Sequence, residues 1–307
     1  MLSALTSPDL VEVLACPDCG GVLGDRGDKL ECSTCRHEYG IDNGIPILYP
    51  SALDVSHLQG EQKLAGMMKT KKTGSRAQFS SKQWRESNKE FWSMVQDRLS
   101  PAPARIVNLG CGYDTNFKSF EDADYQFINF DIVCDMLQTL QNEHGARRCV
   151  AGDIGHLPFR DSAFDCLVCV DVIHHECDNL EVILRSFRKL LKPGGVLFLQ
   201  DPNAWGMFQI WKSVMMPRPL HRFLRSTYHA LKRSTHMPAT YEFSTSVWAV
   251  KRLLTDIGFS KIVVHPNNAY PCIGPAGYRL YSPLARSGYF SRYHNYHYTL
   301  TAVRGDD

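Results

Sequence analysis

The sequence lacks an apolar run long enough to span a membrane, and it lacks a basic segment followed by an apolar one at its N-terminus. The first absence argues against a membrane-spanning protein, and together they lead us to expect a cytoplasmic location. A strong net charge is also missing, since the formal value is +2 at pH 7. Hydrophobic residues make up 44% of the 307 residues, which is enough for a core. This length fits one large domain, or a normal domain with a small one.

The small net charge is unevenly distributed along the chain. Residues 202–307 contain 13 Lys or Arg residues and 4 Asp or Glu residues, so residues 1–201 are net negative. A basic C-terminal third suggests contact with an anionic partner. A solvated surface would give the same pattern, and both interpretations stay open.

Four of the eleven cysteines stand in two close pairs near the N-terminus. Cys16 and Cys19 form one C-x2-C pair, and Cys32 and Cys35 form the other. In a cytoplasmic protein, cysteines act as thiols or metal ligands more often than as disulfides. Two such pairs supply a tetrahedral four-sulfur site, and four cysteines leave no open coordination position, so we predict a structural Zn²⁺ site. His37 could replace Cys35 as a ligand.

The segment that contains these pairs predicts a small module. Residues 10–50 have few large apolar residues, so bound metal would have to stabilise the fold. The segment from Leu14 to Leu48 resembles the zinc-binding proteins of the Trm112 family, which serve as partner subunits of methyltransferases. A second C-x2-C pair, Cys166 and Cys169, lies in an apolar run, where we interpret both cysteines as small hydrophobes of a buried strand.

From residue 104 onwards, apolar runs alternate with segments of helical periodicity. The runs predict strands at 106–109, 125–130, 148–151, 164–172, 196–200, 261–265 and 296–303. Helical spacing predicts helices at 136–144, 180–191 and 247–256. This order predicts an α/β fold: a Rossmann-like, doubly wound, mainly parallel seven-stranded sheet with an antiparallel last strand, beside a small zinc-ribbon-like module.

Carboxylates fall at or near the ends of four predicted strands, as Asp131, Asp153, Asp171 and Asp201. Ligands of parallel sheets bind at the carboxyl ends of the strands. A single Asp after a strand is usually a helix cap. Several carboxylates at one edge of the predicted sheet favour a ligand site.

The first of these strands breaks into a glycine turn at Gly110 and Gly112, where the backbone can pass close to a ligand because glycine has no Cβ. Asp131 follows Gly112 by 19 residues. An acidic side chain at this spacing can hold ribose hydroxyls.

With these motifs in register, residues 104–201 resemble the class I S-adenosylmethionine-dependent methyltransferases. The matching segments are Val107-Asn-Leu-Gly-Cys-Gly, Asp131, Ala151-Gly-Asp-Ile-Gly-His-Leu-Pro-Phe, Phe164-Asp165 and Leu191-Lys-Pro-Gly-Gly. The resemblance implies S-adenosylmethionine as the cofactor, with Asp131 on the ribose and Asp153 on the adenine amino group. It implies cofactor contacts from Asn108, Gly110, Cys111, Gly112, Asp114, Asp131, Ile132, Asp153, Ile154 and Asp171.

Two positions depart from the family pattern. The family usually has an acidic residue where Asn108 stands and a third glycine where Asp114 stands. Asn108 can accept a hydrogen bond but brings no charge. Asp114 could supply a negative charge near the ammonium group of the ligand, or it could cap the following helix.

Two histidines, His174 and His175, follow the fourth predicted strand. A histidine at this edge could take the proton of a hydroxyl acceptor, so we predict that one of them is a general base. Packing under the cofactor or capping a helix is the alternative role. The chain lacks the Asn/Asp-Pro-Pro-Phe/Tyr segment that marks family members acting on amide or exocyclic base nitrogens, so those acceptors are less favoured.

Residues 205–237 form a predicted insertion with many aromatic and apolar residues, six Lys or Arg residues and no acidic residue. A basic amphipathic segment suits an anionic membrane surface or an amphiphilic acceptor. It could also bind RNA phosphates, or act only as a lid with a solvated outer face. The loop between 270 and 297 is predicted to line the acceptor pocket.

The domain prediction is a zinc-binding module at 1–50, a linker at 51–77 and a methyltransferase domain at 78–307 with a lid or insertion at 205–240. Helical spacing near the start of that domain predicts helices that pack at its edge or close over a ligand. The residues with this spacing are Phe79, Trp84, Phe91, Trp92, Val95 and Leu99.

Three functional hypotheses follow. The first is O-methylation, or less favourably N- or C-methylation, of a small molecule, a sugar or a lipid-linked glycan or natural-product intermediate. The second is a ribosomal or transfer RNA methyltransferase, which the acidic residues 1–201 disfavour; no DNA partner is expected. The third is an inactive regulator that binds S-adenosylmethionine, supported by the departures at Asn108 and Asp114. The oligomeric state stays open.

Overall fold

A computed structural model describes residues 7–69, 82–99, 101–176, 179–207, 210, 245–267, 283–284 and 287–306. In these ranges, no helix is both long and apolar enough to cross a membrane. Several predictions lie wholly or mostly outside the described residues: the end of the linker at 70–77, Phe79, the insertion at 205–240 and the loop at 270–297.

Strands and helices alternate through most of the described chain. The strands are β1 Leu23–Asp25, β2 Lys29–Cys32, β3 Glu38–Asp42, β4 Ile45–Leu48, β5 Arg105–Leu109, β6 Gln126–Asp131, β7 Cys149–Gly152, β8 Phe164–Val170, β9 Leu191–Pro202, β10 Phe259–His265 and β11 His297–Arg304. The helices are α1 Val55–Lys69, α2 Lys82–Arg98, α3 Phe117–Glu121, α4 Cys134–His144, α5 Leu180–Leu190, α6 Val247–Asp256 and α7 Gly288–Tyr293. Short 3₁₀ turns lie at Pro8–Glu12, Ile154–His156 and Ile173–His175.

The strands form one sheet in the order β1-β2-β3-β4-β7-β6-β5-β8-β9-β11-β10. The five strands β7, β6, β5, β8 and β9 run parallel to one another. The last strand, β11, runs antiparallel to both β9 and β10. The predicted mainly parallel α/β sheet with an antiparallel last strand is therefore confirmed for the seven strands from β7 to β10, and β1 to β4 extend the sheet to eleven strands. Chain order reverses between β5 and β8, which is where such folds bind ligands.

Helices cover both faces of the sheet because alternate residues of each strand point to opposite sides. On β5, Val107 and Leu109 join an apolar cluster with α5 and α6. Ile106 joins a second cluster, with α2 and α4 on the other face. Both faces are thus buried, which explains the near-continuous apolar runs of these strands.

Two strand boundaries differ from the prediction. Strand β8 ends at Val170 instead of Val172, because Asp171 has a left-handed backbone with φ of 57°. Strand β9 begins at Leu191 instead of Val196, because Leu191 already pairs with Phe164 of β8. The Pro193–Gly195 turn therefore lies inside the bounds of β9.

The segment expected to be an irregular linker contains helix α1 over Val55–Lys69. This helix has little amphipathic pattern, so its sequence gave no helical signal. Ala65 is buried against Val133 and Met136 of the main domain, so tertiary contact supports a helix that periodicity does not indicate. The domain boundaries themselves stay a prediction.

The N-terminal module is continuous with the rest of the sheet. Strand β4 pairs parallel with β7, with Ile47 opposite Ala151 and Leu48 opposite Gly152. Apolar residues of the module, among them Leu14, are fully buried in the same cluster as the main domain. A fully buried leucine contributes about 1.5–3 kcal/mol. The expectation that metal alone would stabilise the module is therefore too strong, because the module shares the main core.

Candidate cofactor and catalytic site

The glycine turn follows β5 and is held by the neighbouring strand. The backbone N–H groups of Gly110 and Cys111 both donate to the Phe130 carbonyl, at 2.8 and 3.0 Å. Gly110 has φ of 68°, and a Cβ there would lie 2.3 Å from Cγ2 of Val172, so only glycine fits. A Cβ on Gly112 would meet no atom within 4 Å. The turn therefore presents its backbone to open space at Gly112.

Asp131 lies beside this turn, at the end of β6. Its Oδ2 accepts from the Gly112 N–H at 2.8 Å, and its Oδ1 accepts from the Val133 N–H, also at 2.8 Å. Burial raises the pKa of this carboxyl to about 6, although the two backbone hydrogen bonds oppose the rise. The structure thus brings the glycine turn and Asp131 together, as their spacing in the sequence predicts. A contact between Asp131 and ribose stays a prediction.

Asn108 lies in β5 directly before the turn and is buried. It is in register with Asn129 of β6, so the two amides share one face of the sheet. Among the residues that the structure describes, the side-chain amide of Asn129 has no hydrogen-bond partner, and it is also buried. A second neutral amide therefore lies beside Asn108, the position where the resemblance implies a carboxylate.

Asp114 is half-buried, and its carboxylate accepts from two kinds of donor. Its Oδ2 accepts from the Trp92 indole at 3.0 Å, and its Oδ1 accepts from the backbone N–H of Asn116 at 2.8 Å. Burial raises the pKa of the carboxyl, while these hydrogen bonds oppose the rise. The residue next to α3 at its N-terminus is Asn116, not Asp114. The carboxylate thus connects the turn with helix α2, an arrangement that neither sequence interpretation included.

Asp153 follows β7 and caps the short turn that begins at Ile154. Its Oδ1 accepts from the Gly155 N–H at 3.1 Å, and its Oδ2 lies 3.0 Å from Nδ1 of His156. Ile132, which follows Asp131, accepts a 2.7 Å hydrogen bond from the Tyr49 hydroxyl through its carbonyl. Asp153 and Ile132 therefore lie at the ends of adjacent strands, as predicted.

His174 lies in the short turn after β8 and forms a buried pair with Asp201 of β9. Nδ1 of His174 is 2.9 Å from Oδ1 of Asp201. Asp201 is fully buried, and burial raises the pKa of its carboxyl although His174 opposes the rise. The rings of His174 and His175 lie close together, with centroids 4.1 Å apart. The ring of His174, one of the two predicted bases, is thus oriented by a carboxylate.

The other oxygen of Asp201 is held by residues that the sequence did not indicate. Thr245 donates to Oδ2 of Asp201 at 3.0 Å, and the Thr245 hydroxyl lies 2.7 Å from the Tyr298 hydroxyl. Both residues are buried. They are far from Asp201 in sequence and belong to no motif, so only the fold could identify them.

Asp171 forms a second pair with a histidine. Its Oδ1 lies 2.8 Å from Nε2 of His297, the first residue of β11. Burial alone would raise the pKa of the Asp171 carboxyl, but His297, with His174 and His175 nearby, lowers it on balance. Asp171 was predicted to contact cofactor, and the structure places it at the correct edge with an unpredicted partner.

The four cysteines predicted as metal ligands lie together in the N-terminal module. Their Sγ atoms all lie within 4.8 Å of one another, with pairs at 3.5 and 3.7 Å. A Cβ on Gly21 would lie 2.8 Å from Sγ of Cys32, so the backbone needs glycine to pass this cluster. His37 instead lies 4.0 Å from the Asp18 carboxylate and is not part of the cluster. Four thiolates at this separation fit a tetrahedral zinc ion.

Comparison with known proteins places a methyltransferase domain in this chain. Residues 107–199 match the family described as "Methyltransferase domain". This match contains the glycine turn, Asp131, Asp153 and both predicted histidines. Residues 107–199 therefore match a methyltransferase domain, in agreement with the motifs they contain.

Curated relatives support the same assignment at low identity. A malonyl-[acyl-carrier protein] O-methyltransferase of Pseudescherichia vulneris is 29% identical over 125 residues, which cover 40% of this chain and 49% of the relative. A ubiquinone biosynthesis O-methyltransferase of Xanthomonas oryzae pv. oryzae is 28% identical over 142 residues, which cover 42% of this chain and 59% of the relative. The chain spans about half the length of the curated relatives it matches.

A solved structure agrees with the fold. The SAM-dependent methyltransferase from Archaeoglobus fulgidus aligns with a TM-score of 0.51 and 12% identity, over 79% of this chain and 99% of that protein. The likeness supports the architecture of the sheet and helices.

Proposed function

The chain carries a methyltransferase domain, and we propose that it transfers a methyl group from S-adenosylmethionine to an oxygen atom. The proposed acceptor is a small molecule, a sugar or a lipid-linked glycan or natural-product intermediate. The observation that carries the choice of oxygen is the buried pair of His174 and Asp201, at 2.9 Å. A hydroxyl acceptor must lose a proton, so an oriented imidazole has a defined task in this reaction.

The residues around the glycine turn fit the cofactor. The turn faces open space at Gly112, where no atom lies within 4 Å of an added Cβ. Asp131 would accept hydrogen bonds from ribose hydroxyls, and Asp153 would contact the adenine amino group. S-adenosylmethionine, when bound, supplies a methyl group activated by a positively charged sulfur.

His174 acts as the base in this proposal. In this proposal the Nδ1–H donates to Asp201, and Nε2 takes the proton of the acceptor. Asp201 stabilises the imidazolium that forms. Thr245 fixes the carboxylate of Asp201 through a 3.0 Å hydrogen bond, so the base keeps one orientation.

We further propose that Cys16, Cys19, Cys32 and Cys35 hold one structural Zn²⁺. The cluster lies close to the main domain, because the N–H of Ala15, next to Cys16, donates to the Pro158 carbonyl at 2.9 Å. Metal bound there would support the segment that follows Asp153.

Transfer of labelled methyl from S-adenosylmethionine into fractionated cell extract tests the proposal. We expect label in a small-molecule or organic-soluble fraction. His174→Ala should abolish most of the transfer, while His175→Ala should retain more of it. Label confined to RNA would instead favour an RNA methyltransferase. Tight binding of S-adenosylmethionine with no transfer to any fraction would favour a regulator.

A further inference from the structure

Exposed apolar side chains are concentrated in the C-terminal third of the described chain. Ten large apolar side chains are exposed among the described residues, and four of these are valines at separate places in the sequence. The other six belong to three short segments, at 205–210, in α6 and at 284–289. We call these six the apolar surface: Trp205, Met207, Ile210, Trp248, Leu284 and Tyr289.

Contacts between the three segments show that this surface is continuous. The N–H of Met207 donates to the His294 carbonyl at 3.0 Å, at the end of α7. The ring of Tyr289 has its centroid 5.6 Å from that of His294 and 5.1 Å from that of Tyr293. Tyr293 in turn stacks on Trp248 of α6, with centroids 4.5 Å apart and ring planes 6° from parallel. The exposed residues therefore form one patch and are not isolated.

The kind of side chain in this patch limits what covers it. Trp205 is 52% exposed, Tyr289 is 61% exposed, and Trp248 is 44% exposed although it stacks on a tyrosine. Indole and phenol rings have an apolar body and a polar tip, so they suit a boundary between water and an apolar phase. Met207 and Ile210 add exposed side chains without a polar tip. A contiguous surface of this kind is typical of a binding site, and its composition fits the boundary between lipid headgroups and acyl chains.

The charge of the same part of the chain favours an anionic partner. Residues 202–304 contain 13 Lys or Arg residues and two acidic residues, Glu242 and Asp256. Arg252 lies one helical turn after Trp248, and its guanidinium is exposed. Its ion pair with Asp256, at 3.8 Å between two exposed side chains, is weak. An apolar patch in a basic segment is complementary to a bilayer that contains anionic lipids.

RNA is the other anionic partner that aromatic and basic residues bind, since bases stack on aromatic rings. RNA offers no apolar phase for aliphatic side chains, however. Met207, Ile210 and Leu284 would stay in water beside an RNA strand, whereas acyl chains would bury them. The aliphatic half of the surface therefore favours lipid over RNA.

The apolar surface borders the residues that hold the proposed base. Thr245, which donates to Asp201, precedes Trp248 by three residues. The N–H of Ala204, next to Trp205, donates to the Thr245 carbonyl at 2.9 Å. A bilayer that covers the surface would therefore lie beside the end of β9 that carries the base pair.

We propose that the apolar surface docks this protein on a bilayer that contains anionic lipids. The docking does not depend on the proposed function, because it needs neither a methyl donor nor an acceptor. Combined with that function, it favours a lipid-linked acceptor over a freely diffusing one.

Cosedimentation of the full chain with vesicles tests the docking. One set of vesicles contains phosphatidylcholine and phosphatidylglycerol in equal parts, and the other contains phosphatidylcholine alone. We expect the anionic vesicles to bind at least about tenfold more tightly, because each basic residue near the surface adds to the affinity. Added salt should weaken this binding, since it screens the charges.

Single variants locate the contact on the described residues. Trp248→Ser and Tyr289→Ser should each weaken binding to anionic vesicles about tenfold, because each removes a ring that lipid would bury. Arg252→Gln should weaken it about fivefold. The matched controls are Val22→Ser, at an exposed valine next to β1 at the opposite end of the sheet, and Arg26→Gln, in an exposed ion pair. Both controls should bind as the unchanged protein does, and melting temperatures check that every variant is folded.

Absence of binding to either kind of vesicle, or equal binding to both, would overturn the docking surface. So would full affinity for anionic vesicles in folded Trp248→Ser and Tyr289→Ser variants. Tighter binding to poly(U) that the same variants lose would assign the surface to RNA. A protein that docks on vesicles but transfers no methyl group would count against the proposed function alone, and methyl transfer without docking would count against the surface alone.

Discussion

The indole N–H of Trp92 donates a 3.0 Å hydrogen bond to Asp114, and this bond joins helix α2 to the glycine turn. Trp92 is buried and packs against Phe120 and Phe127, with ring centroids 5.5 and 5.9 Å away. The helix lies outside the residues 107–199 that match the methyltransferase family. A helix outside the matched residues therefore holds the glycine turn that lies within them.

Replacing Trp92 by Phe tests this connection. The half-buried Asp114 carboxylate would lose a donor, so we expect the free energy of unfolding to fall by about 1 kcal/mol. Affinity for S-adenosylhomocysteine should fall as well, because the turn is less constrained. Thermal denaturation and titration calorimetry measure the two effects. Trp248→Phe, at a position 44% exposed, is the control and should leave both values nearly unchanged.

A pair of glycine substitutions separates packing from ligand contact. Both Gly110 and Gly112 have left-handed backbones, with φ of 68° and 52°, so alanine at either site costs about 1 kcal/mol or more. Only at Gly110 does the new Cβ collide, with Val172 at 2.3 Å.

We therefore expect Gly110→Ala to lower the melting temperature more than Gly112→Ala. Gly112→Ala should fold but bind S-adenosylhomocysteine weakly, since its Cβ enters the space proposed for the cofactor. Normal cofactor affinity in Gly112→Ala would argue against the proposed position of the ligand.

Cofactor affinity should depend on pH through Asp131. Burial raises the pKa of this carboxyl from 3.8 to about 6. Between these values the folded protein binds more protons at this site than the unfolded chain, so the contribution of Asp131 to stability falls as pH rises through this window. The ionised carboxylate is the stronger acceptor for ribose hydroxyls, so affinity should rise as pH passes about 6 and then level off.

Calorimetric titration with S-adenosylhomocysteine from about pH 5 to about pH 8 measures this dependence. Asp131→Asn should bind more weakly at the upper end and lose the rise. A rise of the same size in Asp131→Asn would assign it to another group.

Removal of metal should weaken both the module and the cofactor site. We expect about one zinc per chain, and Cys32→Ser should lose it. The melting temperature should fall, and so should affinity for S-adenosylhomocysteine, because Leu14 bridges to Phe159 and Ala15 to Pro158, in the segment after Asp153. Cys134→Ser, outside the cluster, should keep its zinc. Zinc analysis together with thermal denaturation checks this, and unchanged melting after chelation would contradict a structural role.

Local sequence patterns were sufficient to predict the strands of the central sheet. The apolar runs that form β5, β6, β7 and β8 are buried on both faces. Each could therefore be predicted as a strand without knowledge of its neighbours. The spacing between the glycine turn and Asp131 was also sufficient to predict that they lie together, because both lie at the carboxyl ends of adjacent parallel strands. Helix α1 could not be predicted from the sequence because it lacks amphipathic periodicity. A tertiary contact at Ala65 supports the helix instead.

The sequence by itself determined the class of fold, the cluster of four cysteines and the glycine turn, because each depends on residues close together in the chain. The tertiary structure decided which residues complete the site. It paired His174 with Asp201, added Thr245 and Tyr298, and joined Trp92 to Asp114. These contacts depend on the order of strands in the sheet and on the helix above it, and a linear pattern carries no record of either.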